Sequence, residues 1–255
     1  MAERPIRLYG IRLSHPVLAV RGMLDRKHLP YRYVELVGGM HPPSLRALGF
    51  RGVTVPAMKL PDGRRVQGSL EIAHALEQLV PAPSLYPVEP AARQEAEAAE
   101  RWGESTLQPV PRRLIRWGLS HRSHQRRWFA DVASPLPAPA VTAVMLAPLA
   151  PVFARQVGAS DEQVRQDLAE LPSLIGEVDR LLDRGVIGGE ELGAADLQIG
   201  ATVRMLLAME EVGQLVKGRP AEALARRAVP DYPDIPAVFP PEWLVATTGA
   251  TKSSS

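Results

Sequence analysis

Cysteine is absent from all 255 residues. Its absence excludes disulfides, thiolate metal sites and any nucleophilic thiol belonging to the protein. An excess of one charge is missing as well. Thirty Lys and Arg residues stand against 28 Asp and Glu, for a net charge of +2, so non-specific nucleic-acid binding is not favoured globally. No leader pattern is visible in Met1-Ala2-Glu3-Arg4-Pro5, and the cytoplasm is the expected compartment. A clean membrane-spanning run is lacking too. Residues 136–154 are almost uncharged, but Pro137, Pro139, Pro148 and Pro151 interrupt them. Prolines at that density argue against a spanning helix and for a buried or groove-lining one. With 45% hydrophobic and 23% charged residues, the composition is that of a globular protein with one large core or two modest ones.

Strand signals are confined to the first third. Ile6-Arg7-Leu8-Tyr9-Gly10 reads as a short strand ended by glycine, and Ser14-His15-Pro16 as a helix start with serine as cap and proline in the first turn. A second strand is expected at 31–36, a weak helix at 43–48 and a third strand at 55–60. After the Pro61-Asp62-Gly63-Arg64 turn, a fourth strand runs into Gly68-Ser69, where Ser69 is expected to cap a helix carrying Ile72, Ala73, Leu76 and Leu79 on one face. The order is β-α-β-α-β-β-α. Two short stretches stand out. In Val53-Thr54-Val55-Pro56-Ala57-Met58, a proline enters an apolar strand and can donate no ladder N–H. In Val66-Gln67-Gly68-Ser69, a small polar pair lies where strand gives way to helix, a junction whose bare N–H groups favour an anion.

From residue 91 onward helices dominate. A stiff proline-rich linker at 81–90 separates a first domain, 1–80, from an all-helical one at 91–244, and a tail at 245–255 is expected to be disordered. Residues 91–106 are rich in helix formers until Pro109 and Pro111 kink or end the helix. Ser160-Asp161-Glu162-Gln163 is a capping pattern before an apolar stripe from Val164 to Leu182, in which Pro172 is expected to kink the helix or open a new one.

These features together resemble the soluble glutathione S-transferase family: an α/β thioredoxin-like domain (βαβαββα) followed by an all-α domain. The resemblance runs from about residue 5 to about residue 244. It is most specific in the first domain and at Gly193-Ala194-Ala195-Asp196-Leu197, where the family usually has Ser/Thr-x-x-Asp as a buried helix cap. Here glycine replaces the hydroxyl residue. Stretches such as Leu48-Gly49-Phe50-Arg51-Gly52 and Gly218-Arg219-Pro220 are most similar to bacterial members of the actinobacterial kind, whose reaction is not settled. The resemblance implies glutathione, or another low-molecular-weight thiol, as co-substrate, no metal, a homodimer and a role in detoxification. It implies a cis bond before Pro56, with Val55 and Pro56 along the cysteinyl part of the thiol, Thr54 among the thiol-binding residues and Ser69 at the γ-glutamyl carboxylate. Gly68 stands where the family has an acidic or glutamine side chain for the γ-glutamyl amine, a gap that Gln67 or a second subunit would fill. Alignment on Val20-Arg21 assigns the catalytic position to Ser14, whose hydroxyl would hold the thiolate, with His15 beside it to bind the glycyl carboxylate or tune polarity. Tyr9 competes for that role, and Ser14 also reads as a plain cap.

The stretch from Arg112 to Trp128 carries six arginines, two histidines and no acid. Three readings suit it: a solvated helix end with tryptophans packed inward, a surface for an anionic substrate or partner that includes Arg113 and Trp117, and, least favoured, nucleic acid. His121 and His124 have no third metal ligand in view. The leading expectation is an enzyme conjugating a small thiol to an apolar electrophile, with thiol-dependent isomerisation as a variant. The alternative is a non-catalytic binding protein on the same scaffold, using residues 112–127 as its partner surface.

Overall fold

The computed structural model describes residues 5–244; the expected disordered tail at 245–255 lies outside the described residues. The first domain runs β1 (Ile6–Gly10), α1 (His15–Arg26), β2 (Tyr31–Glu35), α2 (His41–Ala47), β3 (Ala57–Lys59), β4 (Arg65–Gln67) and α3 (Ser69–Leu79), the expected order. Its sheet has the order β2-β1-β3-β4. β1 pairs parallel to β2, and β3 pairs antiparallel to both β1 and β4. The third strand begins two residues later than the sequence suggests, at Ala57; Val55, joined to Pro56 by a cis bond, lies outside the ladder. Gly68, not Ser69, is the N-cap of α3, at φ +91°, a left-handed conformation that suits glycine. Ser69 is therefore the first helical residue.

The linker is docked rather than a free spacer. Leu85 and Tyr86 are buried, the Leu85 carbonyl accepts from Ala194 N–H at 2.9 Å, and the Tyr86 hydroxyl donates to Glu100 at 2.9 Å. Buried Lys27 ties the linker to α1 through Glu77, 2.8 Å away, and the Pro83 carbonyl.

The second domain comprises α4 (Pro90–Trp102), a π-helical turn (Gly103–Leu107), α5 (Pro109–His121), α6 (Ser123–Val132), α7 (Pro139–Leu146), α8 (Ala150–Gln156), α9 (Asp161–Asp183), α10 (Ala194–Ala208), a 3₁₀ turn (Val212–Leu215) and α11 (Pro220–Ala228). The prolines at 109 and 111 do not end the helix. Their rings crowd the carbonyls four residues back, and the ladder widens into a π turn in which Gln108 N–H reaches Gly103 O at 2.8 Å. α9 likewise continues through Pro172, giving up one ladder bond while its stripe of Val164, Leu168, Leu171, Ile175 and Val178 stays buried. The uncharged stretch 136–154 becomes two short helices, α7 and α8, whose Val141, Val144 and Met145 are exposed. Among the described residues no helix is long and apolar enough to cross a membrane.

Every residue of α10 is buried. It packs on α1 so closely that a Cβ on Gly22 would come within 2.8 Å of Leu197. One apolar cluster runs through both domains along this contact, and a smaller one (Tyr9, Leu36, Leu45, Phe50, Ala57) seals the sheet against α2. Across the domain boundary the start of α3 faces the π turn, where Glu104 Oε1 lies 3.8 Å from where a Cβ on Gly68 would be.

Candidate functional site

Ser14 caps α1 with its backbone alone. Its carbonyl accepts from Val17 and Leu18, and its hydroxyl makes no capping bond. The half-buried hydroxyl is thus uncommitted at the positive end of a 12-residue helix. Behind it, the Tyr232 hydroxyl donates to Leu13 O at 2.9 Å, so the returning C-terminal segment steadies the turn that presents Ser14. Tyr9, the competing candidate, is buried in the smaller cluster with its ring edge-on to Phe50.

His15 is turned inward. Its ring is 4% exposed, with Nδ1 3.1 Å from Met205 Sδ on α10 and Nε2 without a partner. Burial, helped by the charge of Arg112 and opposed by the Gln108 backbone, pushes its pKa down to about 3. His15 is therefore a neutral element of the domain interface.

Thr54 is exposed, and Val55 is half-buried with neither its N–H nor its C=O hydrogen-bonded among the described residues. That backbone can take up an extended peptide as a strand would. Gly68 N–H donates to Pro56 O at 3.0 Å, joining the two sequence stretches directly. Gln67 is spent on support: its Oε1 accepts from Gly52 N–H at 2.7 Å and its Nε2 donates to Thr54 O at 3.2 Å. It holds the 52–54 loop and leaves the gap beside Gly68 unfilled.

Two side chains that sequence reasoning missed stand at that gap. Gln198 of α10 donates from Nε2 to the buried Ser69 Oγ at 3.1 Å, and its Oε1 has no partner. Glu104, from the π turn, brings Oε1 to 3.8 Å from where a Gly68 Cβ would be. Desolvation and the nearby Glu71 raise the Glu104 pKa, with Arg112 opposing. A carboxylate thus overhangs Gly68 from the other domain. The one hint in the sequence was Pro109-Val110-Pro111, which forces the π turn.

The arginine-rich segment is mostly internal scaffolding. Arg113 grips buried Asp167 of α9 with two bonds of 2.6 Å. Trp117, 3% exposed, donates to Asp161 at 2.8 Å and stacks with His121 and Phe239. Arg122 donates to Val238 O, Arg126 to the Leu119 and Ser120 carbonyls, and His124 contacts Ala237 O. Arg113 and Trp117, expected at a substrate pocket, face α9 and the C-terminal segment instead. Their neighbours Arg112 and Arg116 meet the Gln108 amide and the Phe153 ring. A cleft of ≈ 500 Å³ lies at His121, Arg155 and Asp161, and Ser14 is not among its lining residues. Among the described residues no group of three His, Asp or Glu could hold a metal.

Residues 8–84 match the family model described as "Glutathione S-transferase, N-terminal domain". No curated protein sequence matches the chain. Among solved structures, a glutathione S-transferase from Rhodospirillum rubrum F11 is 19% identical, with a TM-score of 0.56 over 95% of this chain and 99% of that one. A beta-etherase from Sphingobium sp. strain SYK-6 is 18% identical, with a TM-score of 0.58 over 91% and 97%. Poplar glutathione transferase F1 is 15% identical, with a TM-score of 0.60 over 98% and 100%. The chain therefore carries the glutathione S-transferase fold along nearly its whole length, with residues 8–84 matching the family's N-terminal domain.

Proposed function

We propose that this protein binds glutathione or a related small thiol in the groove between Val55 and Ser69 and transfers it to an electrophile held under α5. What carries the reading is an uncommitted Ser14 hydroxyl at the start of α1, together with a Val55 backbone that makes no hydrogen bond among the described residues and Glu104 beside Gly68 at the start of α3. In this reading the Ser14 hydroxyl donates to the thiolate sulfur, and the α1 N-terminus adds a favourable field. The sulfur attacks the electrophilic carbon, a carbon–sulfur bond forms, and the leaving group departs with its bonding pair. Val55 pairs with the cysteinyl backbone, and the first turn of α3 takes the γ-glutamyl carboxylate. Glu104 takes the γ-glutamyl amine in place of the side chain that Gly68 lacks. The family likeness extends the reading to a cytoplasmic homodimer of the actinobacterial kind with a detoxifying role, for which a thiol other than glutathione is a natural variant.

The primary test is retention on immobilised glutathione, with thermal shifts for glutathione, cysteinylglycine and N-acetylcysteine. No retention and no shift with any of them would sink the reading. Glu104→Gln is expected to weaken glutathione about tenfold to a hundredfold, the worth of one charge-assisted bond, and to leave cysteinylglycine, which has no γ-glutamyl end, unaffected. Equal loss for both thiols would remove Glu104 from the amine role. Ser14→Ala is expected to slow conjugation about tenfold and to raise the pH midpoint of the rate, because a donor to the thiolate is gone. An unmoved midpoint would leave Ser14 a plain cap.

A further inference from the structure

Arg112 and Arg116 are four residues apart on α5 and so share one face. Both are half-buried, and neither forms a salt bridge among the described residues. Arg112 donates to the neutral amide of Gln108 at 2.8 Å. The Arg116 guanidinium lies over the Phe153 ring, 5.3 Å from its centre. Arg113, one position along, turns to α9 and takes Asp167 for itself.

Across from the pair are the starts of α1 and α2. Arg112 acts on the buried His15 ring, and Arg116 acts on His41. Both histidines are held neutral, with pKa values pushed down to about 3 and about 4, burial being the larger cause in each. Neither can serve as counter-ion. His41 Nδ1 is buried without a partner among the described residues. The one carboxylate whose charge acts on Arg112 is Glu104, which makes no salt bridge with it. Phe153 also presses on the loop before α2: a Cβ on Gly39 would come to 2.8 Å from its ring. Phe153 of α8 thus touches both Arg116 and the loop before α2 and sets an aromatic ring beside the two cations.

Drawing cations out of water without partners is costly, and Arg is suited to planar, two-point recognition of an oxyanion. We infer that Arg112 and Arg116 bind the carboxylate of the acceptor substrate, so that the electrophile is an aromatic or apolar acid whose body lies against Phe153. This names a substrate class and rests on the thiol-transfer reading only for the word acceptor.

The experiment compares 4-chloro-3-nitrobenzoate with 4-chloro-3-nitrobenzamide, which are alike in size but differ in charge. Binding is measured by calorimetry without any thiol. The unmodified protein is expected to bind the benzoate about tenfold tighter, and the ratio should fall to about one in the Arg112→Gln, Arg116→Gln double variant. Equal affinities in the unmodified protein overturn the inference whether or not the variant folds, and so does a ratio that survives the substitutions. A second arm compares glutathione with its glycyl ethyl ester. If the substitutions abolish that preference and leave the benzoate ratio intact, the arginines hold the thiol's own carboxylate and the inference fails. If no thiol binds at all but the benzoate preference persists and depends on the arginines, the anion site stands and the thiol-transfer reading is what falls.

Discussion

Glu100→Gln is expected to stabilise the protein at pH 8 by about 3 kcal/mol and to make no difference at pH 4. Glu100 is fully buried in α4, with Tyr86 donating to one oxygen and nothing bonded to the other. Burial pushes its pKa up to about 7; the Tyr86 bond opposes this, and the charges of Glu104 and Glu97 add to it. A carboxyl with a folded value above its unfolded value of 4.5 stabilises fully below about pH 4.5, and that contribution is lost as pH rises through about 7. Each unit of difference is about 1.4 kcal/mol, which sets the size of the effect. His15 and His41 slope the other way: they are held neutral, so their contribution is present above about pH 6.5 and is lost as pH falls. The unmodified protein's pH curve therefore mixes opposing trends, and the difference between it and Glu100→Gln isolates the carboxyl. Urea unfolding of both proteins at pH 4 and pH 8 is the measurement. A variant no more stable at pH 8 would show that Glu100 ionises inside the fold without penalty.

Gly193→Ser is expected to destabilise by about 2–3 kcal/mol, although it restores the hydroxyl that the resemblance leads one to expect at this cap. Gly193 has an ordinary φ of −85°, so backbone strain is not the reason. The reason is space: a Cβ there would come to 2.7 Å from the Leu85 carbonyl oxygen, the same oxygen that accepts Ala194 N–H. The docked linker passes too close for any side chain. Serine would push it away, at the cost of overpacking and of one weakened hydrogen bond. The gain in cap quality over glycine is only a few tenths of a kcal/mol. Asp196 already secures the cap by accepting from Gly193 N–H at 2.9 Å and from Gly188 N–H. Thermal unfolding should show a fall of about 6 °C for a chain of this size, with Gly193→Ala falling alike. If serine were tolerated and alanine not, the hydroxyl would be making a cap bond that outweighs the clash.

The first domain was readable because its signals are local. Short apolar alternations, the Pro61-Asp62-Gly63-Arg64 turn and Ser14-His15-Pro16 each act within a few residues, and β1, α1 and β4 form where those cues put them. Local reasoning fell short by small steps where a neighbour decided the geometry: Gly68 takes the cap from Ser69, and the interruption expected at Pro109 and Pro111 takes the form of a π turn between α4 and α5. The site was less readable. Ser69 and Gln198 are 129 residues apart, and Gly68 and Glu104 meet across the domain boundary; no period or spacing in a single sequence links such pairs.

The arginine-rich segment marks the division most sharply. By itself the sequence determined that this chain has no thiol of its own, that a mixed domain precedes a helical one, and that cations crowd residues 112–127. All of that follows from composition and short-range pattern. Only the tertiary structure decided which cations matter. A helix turns about 100° per residue, so Arg113 meets Asp167 while Arg112 meets the Gln108 amide and Arg116 the Phe153 ring, neither with a carboxylate partner among the described residues. What lies opposite a side chain is set by the packing of distant elements, and that packing separates a scaffold arginine from one free to hold a ligand.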